Sequence, residues 1–133
     1  MSGETDLTTL LKSMNPVLRQ GEYVFCSVDF EDWLRLNPIG VFREEEGLTL
    51  ILDRQIADQS NIPYASTFRL ITLSVHSSLE AVGFLAAITS RLAAQGISVN
   101  AVSAYYHDHL FIPTAQADRV IELLDRFISD EKF

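Results

Sequence analysis

Phe68-Arg69-Leu70-Ile71-Thr72-Leu73-Ser74-Val75 is the stretch whose reading decides the fold. Leu70, Thr72 and Ser74 share one face, and Phe68 precedes Ile71 and Leu73 in a nearly continuous apolar run, the pattern of a central strand. Directly after it, Ser77-Ser78-Leu79-Glu80 has the spacing of a capping box: the Ser77 hydroxyl reaches the Glu80 amide and the Glu80 carboxylate reaches back. A helix is therefore predicted from Ser77 to Gln95, with Ala81, Leu85, Ile88 and Leu92 as its buried stripe and Gly96 as the residue that ends it. Ile97–Ala104 and His109–Pro113 read as two more strands, joined through Tyr105-Tyr106-His107-Asp108. Thr114 is expected to cap a last helix over Ala115–Ser129, whose inward face is Ala117, Val120, Ile121, Leu124 and Phe127 or Ile128. Strand, helix, hairpin and helix make up most of a ferredoxin-like βαββαβ unit. Its fourth strand is expected from the N-terminal half or from a second subunit, unless it is absent.

Upstream the pattern is less regular. Leu7, Leu10, Leu11 and Met14 recur at helical spacing over Thr5–Met14, and Asn15-Pro16 ends that helix. Glu22–Val28 is aromatic and β-branched, hence a strand. Phe30, Trp33 and Leu34 suit one helical turn, which Asn37-Pro38 and Gly40 stop. Ile39–Glu44 and Leu48–Asp53 form a hairpin around Glu45-Glu46-Gly47, where glycine supplies a positive φ. Arg54–Ser60 is a short helix, and Asn61-Ile62-Pro63 breaks it. This order loosely copies the second half, which points to a degraded internal repeat.

Composition narrows the function. The 133 residues suit one compact domain or two very small ones sharing a core. A net charge of −8, without a basic stripe, opposes binding to phosphate backbones, so neither nucleic acid nor an anionic membrane is expected as partner. Apolar runs such as Leu48–Leu52 are too short to span a bilayer, and Met1–Leu11 lacks the basic leader of a signal peptide. The lone Cys26, inside the alternating run Tyr23–Val28, reads as a buried inert thiol, and a reducing cytoplasm is the expected setting. No glycine-rich phosphate loop, nucleophile turn or paired carboxylates is evident, so no catalytic residue and no enzyme activity are expected.

His76-Ser77-Ser78-Leu79-Glu80-Ala81-Val82-Gly83, then Gly96-Ile97-Ser98-Val99-Asn100, then Tyr105-Tyr106-His107-Asp108-His109 together resemble bacterial ACT-domain proteins of the DUF2241 (ACT_3) type. Phe42-Arg43-Glu44-Glu45-Glu46-Gly47-Leu48-Thr49-Leu50 resembles the first segment of the same family. The resemblance covers about Thr5 to Phe127. It implies an α+β, ferredoxin-like ACT architecture of two ACT-like units with antiparallel sheets and helices on one face. The expected division is a degraded N-terminal unit over residues 1–66 and a C-terminal ACT domain over 67–133. It also implies a homodimer and a regulatory module that binds an amino acid or related small effector at a unit or subunit interface. The Asp-x-Pro-Gly-like turn of many amino-acid-binding ACT domains is replaced here by His76-Ser77-Ser78-Leu79, so amino-acid specificity does not carry over.

The expected ligand site is the turn before the helix, at Ser77, Ser78, Leu79 and Gly83, where unpaired amides suit a carboxylate. Asn100, Tyr105 and His107 are its expected side walls. The competing reading makes Ser77 a plain cap, Gly83 a packing residue, and Asn100 with the Tyr-Tyr-His-Asp-His turn a ligand-free dimer or partner surface. His107 and His109, two apart on a strand, point to one face, and with His76 they are all the imidazoles in the chain. Zinc held by the three is conceivable chemistry. No carboxylate or thiol spacing completes such a motif, and no metal or cofactor is expected.

Overall fold

A computed structural model describes residues 7–74 and 83–130. In chain order the elements are α1 (Leu7–Ser13), β1 (Pro16–Leu18), β2 (Tyr23–Val28), β3 (Gly40–Glu44), β4 (Gly47–Asp53), α2 (Arg54–Gln59), β5 (Phe68–Leu73), α3 (Phe84–Ala94), β6 (Asn100–Ser103), β7 (Asp108–Pro113) and α4 (Ala117–Asp130). Among the described residues the seven strands form one sheet in the order β3-β4-β2-β5-β7-β6, with β1 also beside β5 and every pairing antiparallel. The order is a palindrome. The strands β2, β3 and β4 of one unit correspond to β5, β6 and β7 of the other, and β2 meets β5 at the centre.

The strand that completes the second unit is β1. Val17 lies opposite Thr72 and Leu18 opposite Ile71, and α1 before it packs onto α4. Residues 7–18 therefore fold onto the second unit, although the strands of the first follow them in sequence. In β1's register Gly21 would face Phe68, but Tyr23 does, so the chain bulges by two residues on the way to β2. Gly21 takes φ +85 there, a conformation that suits glycine. An even bulge keeps Val17, Arg19 and Tyr23 on one face of the sheet. It also leaves β2 and β5 joined by the single Tyr23–Phe68 pair before β2 turns away to β4.

Strand alternation then separates two faces. One carries Ile71, Leu73, Leu110 and Ile112, buried under Leu10, Leu11 and Met14 of α1, Phe84, Ile88 and Leu92 of α3, and Val120, Leu123, Leu124 and Phe127 of α4. On the same side of the first unit, Val24, Cys26, Leu50 and Leu52 pack under Leu36, Ala57 and Ile62. All the described helices thus lie on one face. The other face carries Tyr23, Phe25, Ile51, Phe68, Leu70 and Phe111, with no described helix over it.

Several local expectations need correction. Among the described residues α3 begins at Phe84, and Gly83 before it has φ +84, so a helix running unbroken from Ser77 is ruled out. The proposed capping box, with Ala81 of the stripe, lies outside the described residues. The helix does end as read: Gly96 at φ +76 donates to Ala93 and Ile97 donates to Leu92, a Schellman closure that turns Ile97 into the core instead of into a strand. Thr114 opens a short 3-10 turn, Thr114–Gln116, and its hydroxyl donates to Thr67 Oγ1 at 2.8 Å; it does not cap α4. The helical turn expected at Phe30–Leu34 is a 3-10 turn at Leu34–Leu36, closed by Asn37 in the left-handed region. The thiol of Cys26 is buried, donates to the Leu50 carbonyl at 3.6 Å, and is pushed up in pKa by burial, as an inert core cysteine should be.

Candidate functional site

The helix-free face is concave. Gly40 of one edge strand and Val102 of the other line a single cavity of about 310 Å³, so the sheet curls enough for its two edges to approach one hollow. The hollow spans the β2–β5 junction. Tyr23, Ile39 and Ile51 come from the first unit; Leu70, Thr72, His109 and Phe111 come from the second; Arg19 enters from the bulge between β1 and β2. Beside it, edge-to-face aromatic pairs tie the units together: Phe25–Phe68 and Phe25–Phe111 at 5.3 Å, and Tyr23–Phe111 at 6.1 Å.

One wall is polar and ordered. Arg19 Nε donates to Thr72 Oγ1 at 3.2 Å, and Thr72 Oγ1 lies 3.0 Å from His109 Nδ1. Thr72 is fully buried, so its hydroxyl proton needs an acceptor. Arg Nε only donates, which leaves His109 Nδ1 as that acceptor and puts the imidazole proton on Nε2. The electrostatics agree. Burial first, then the charges of His107 and Arg19, lower the His109 pKa from the ordinary value, while Asp108 acts the other way. Arg19, Thr72 and His109 thus line the hollow as one hydrogen-bonded set, a guanidinium, a hydroxyl and an imidazole among mostly apolar side chains.

Of the residues proposed from sequence, Ser77, Ser78 and Leu79 lie outside the described residues. Gly83 sits at the start of α3, on the helix side of the sheet. The pair Leu73–Asp108 places the exit of β5 and the Tyr105–His107 turn at the same end of the sheet. Asn100 pairs with Phe111, toward the opposite end of β6, and is exposed. Tyr105 is also exposed and packs edge-on against Tyr106, 5.0 Å between centroids. His107 and His109 have their rings 6.5 Å apart, with Asp108 turned away to accept from Ser103 Oγ at 2.6 Å. His76 lies outside the described residues, and among those described no three ligating side chains cluster as a metal site would need. Neither Asn100, Tyr105 nor His107 lines the hollow; their neighbours Val102, Ala104 and His109 do. Arg19 carried no local signal, because it lies in neither a motif nor a regular element. Thr72 did carry one: a hydroxyl inside an apolar central strand requires a partner.

An all-antiparallel sheet with helices on one face and mirrored βαββ halves defines a paired ferredoxin-like protein. The chain belongs to the ACT-domain family: one ACT-domain profile (ACT_3) matches residues 2–69 and a second (ACT_7) matches residues 65–126. Comparison with curated proteins finds no match. Among solved structures, a protein of unknown function from Vibrio cholerae, described as a possible transport protein, is 47% identical with a TM-score of 0.84 over 92% of this chain and 95% of its own. An Agrobacterium tumefaciens protein shares the fold at 15% identity, with a TM-score of 0.71 over 86% of this chain and 89% of its own. The regulatory subunit of aspartate kinase from Thermus thermophilus does so at 8% identity, with a TM-score of 0.58 over 86% of this chain and 98% of its own. The fold is thus of the kind found in regulatory subunits of aspartate kinase. Among the described residues no helix is long and apolar enough to cross a membrane.

Proposed function

We propose that this chain is a cytoplasmic regulatory module that binds an amino acid or related small effector in the hollow between its two ACT units. The observation that carries the reading is the composition of that hollow: both units and the bulge between them line it, with a cation, an ordered hydroxyl–imidazole pair and apolar walls. A pocket of this size with a few convergent polar groups on an apolar lining is the usual form of a small-molecule site. Its position also suits regulation. The units meet at one backbone pair, so a ligand that touches Tyr23 and Arg19 on one side and Thr72 and His109 on the other favours one spacing of the units over others. The likeness to a regulatory subunit of aspartate kinase supports the class. We keep the division near residue 66 as the boundary between units, crossed by the segment 7–18, and Ser77, Ser78 and Leu79 as a second contact region to be tested.

A dimerisation reading has its own support. Phe42 on one edge strand and Tyr105 beyond the other are 70% and 72% exposed, so both sheet edges carry unpartnered aromatic surface. A thermal-shift screen of amino acids and their deaminated or decarboxylated relatives, run with mass measurement in solution, separates the two. A ligand at 100 times its dissociation constant is expected to add ~2.7 kcal/mol of stability. If no compound raises the melting temperature and the chain is a stable dimer, the interaction reading replaces the sensor.

A further inference from the structure

We infer that the hollow takes a small monocarboxylate with an apolar body and no ammonium group, rather than a zwitterionic amino acid. This rests on the proposed site and names its ligand class. The decisive feature is what lines the hollow: among the described residues it is a guanidinium, an imidazole, a hydroxyl and a phenol, with no aspartate or glutamate. Of the described acids beside it, Asp53, opposite Tyr23, accepts from the Gln55 amide through Oδ1 and lines a separate surface pocket with Glu22 and Arg54, and Asp108 is buried on the far side of β7 against Ser103. Among the described residues no carboxylate forms an ion pair with Arg19, whose Nε alone is engaged.

Two terms then act in opposite directions on the two ends of an amino acid. A carboxylate placed against Arg19 gains a charge-assisted contact, and the guanidinium is held in place by Thr72. The His109 imidazole, which lines the same hollow, offers a second polar contact. An ammonium group in the same hollow would give up water and find a like charge nearby and no anion to offset it. Deleting the ammonium removes that penalty and leaves the carboxylate contact intact. Ile39, Ile51, Leu70, Phe111 and the ring of Tyr23 make up the apolar part of the lining and favour a branched aliphatic or aryl body.

The test uses four probes of matched shape on the full chain, by titration calorimetry with amide NMR shifts to locate the site: 4-methylpentanoate, leucine, 4-methylpentanamide and 3-methylbutylamine. The expected order places 4-methylpentanoate at least tenfold tighter than leucine, with the amine weakest, and the shifts centred on Leu70, Thr72, His109 and Phe111. Arg19→Gln, confirmed folded by circular dichroism, is expected to lower the affinity for 4-methylpentanoate at least tenfold and leave that for the neutral amide unchanged. Leucine binding in the hollow as tightly as 4-methylpentanoate overturns the ligand class while leaving the site in place. Equal carboxylate binding by wild type and Arg19→Gln overturns the role of the guanidinium. Shifts elsewhere, or none with any probe, overturn the site and the class together.

Discussion

The two halves of the chain build the same strand plan with different covers. In the second, β5, β6 and β7 lie under two long helices, and α1 is added from the N-terminus, so Ile71, Leu73, Leu110 and Ile112 are sealed. In the first, β2, β3 and β4 are mirrored across the junction, but the helix between the first two strands has shrunk to the 3-10 turn Leu34–Leu36. Asn37-Pro38 and Gly40 explain the loss, since proline and the residue before it resist helix and glycine weakens it. One buried side chain, Leu36, with Ala57 and Ile62, still covers Val24, Leu50 and Leu52. What the sheet requires, then, is an apolar lid over each strand, and a complete helix is one way among several to provide it.

The largest effect expected from breaking this comparison comes from two glycines, one in each unit, that close different turns. Gly47, in the β3–β4 turn, has φ +152, and an added methyl would lie 2.8 Å from Ser27 Oγ. Gly96, after α3, has φ +76 with nothing within 4 Å. Gly96→Ala should cost ~1–2 kcal/mol from backbone strain alone, and Gly47→Ala more, because strain and contact add. Chemical denaturation of both variants checks the order; equal losses would mean that the first unit yields around the methyl. A smaller effect is expected at the seam. A double-mutant cycle between Phe25→Leu and Phe111→Leu should give a coupling of ~0.5–1.5 kcal/mol across the β2–β5 junction. Additive losses there would show that the units are held by burial without the aromatic geometry.

The smallest effect is in pH dependence. The pKa of His109 is lowered from 6.5 in the fold, by burial first and then by its neighbours His107 and Arg19. The unfolded chain therefore takes up this proton at higher pH than the folded one. The contribution is intact above about 6.5 and declines as the pH falls through 6.5 toward the folded-state pKa. Between pH 7 and 5.5 the melting temperature of the wild type should fall further than that of His109→Gln, whose amide can still accept from Thr72. Parallel curves in a thermal melt series would place the imidazole in water in both states.

Much of the second half was legible along the chain. The central strand Phe68–Leu73, the stripe at Ile88 and Leu92, the glycine stop at Gly96 and the hairpin to Pro113 are local patterns enforced by period and turn chemistry. So were the degraded copy upstream and the inert cysteine. The helix does not run unbroken into α3 as its spacing suggests, because Gly83 adopts a positive φ; the capping box itself lies outside the described residues. The hollow was not legible at all. Arg19, Thr72 and His109 are 53 and 37 residues apart in sequence along their hydrogen-bonded chain. No periodicity connects them, and His109 stood out only as part of the Tyr-Tyr-His-Asp-His run, read as a family motif and a partner surface.

By itself the sequence determined the secondary elements of the second unit, their faces, and the family, because those rest on interactions between residues a few positions apart. Only the tertiary structure decided that β1 crosses over to complete the second unit, that the sheet curls, and that Arg19 meets Thr72 and His109 in a hollow whose described lining carries no acid. Those are long-range pairings fixed by the register of β1 on β5 and by a two-residue bulge at Gly21. A shift of one residue in either would turn the same side chains to the opposite face.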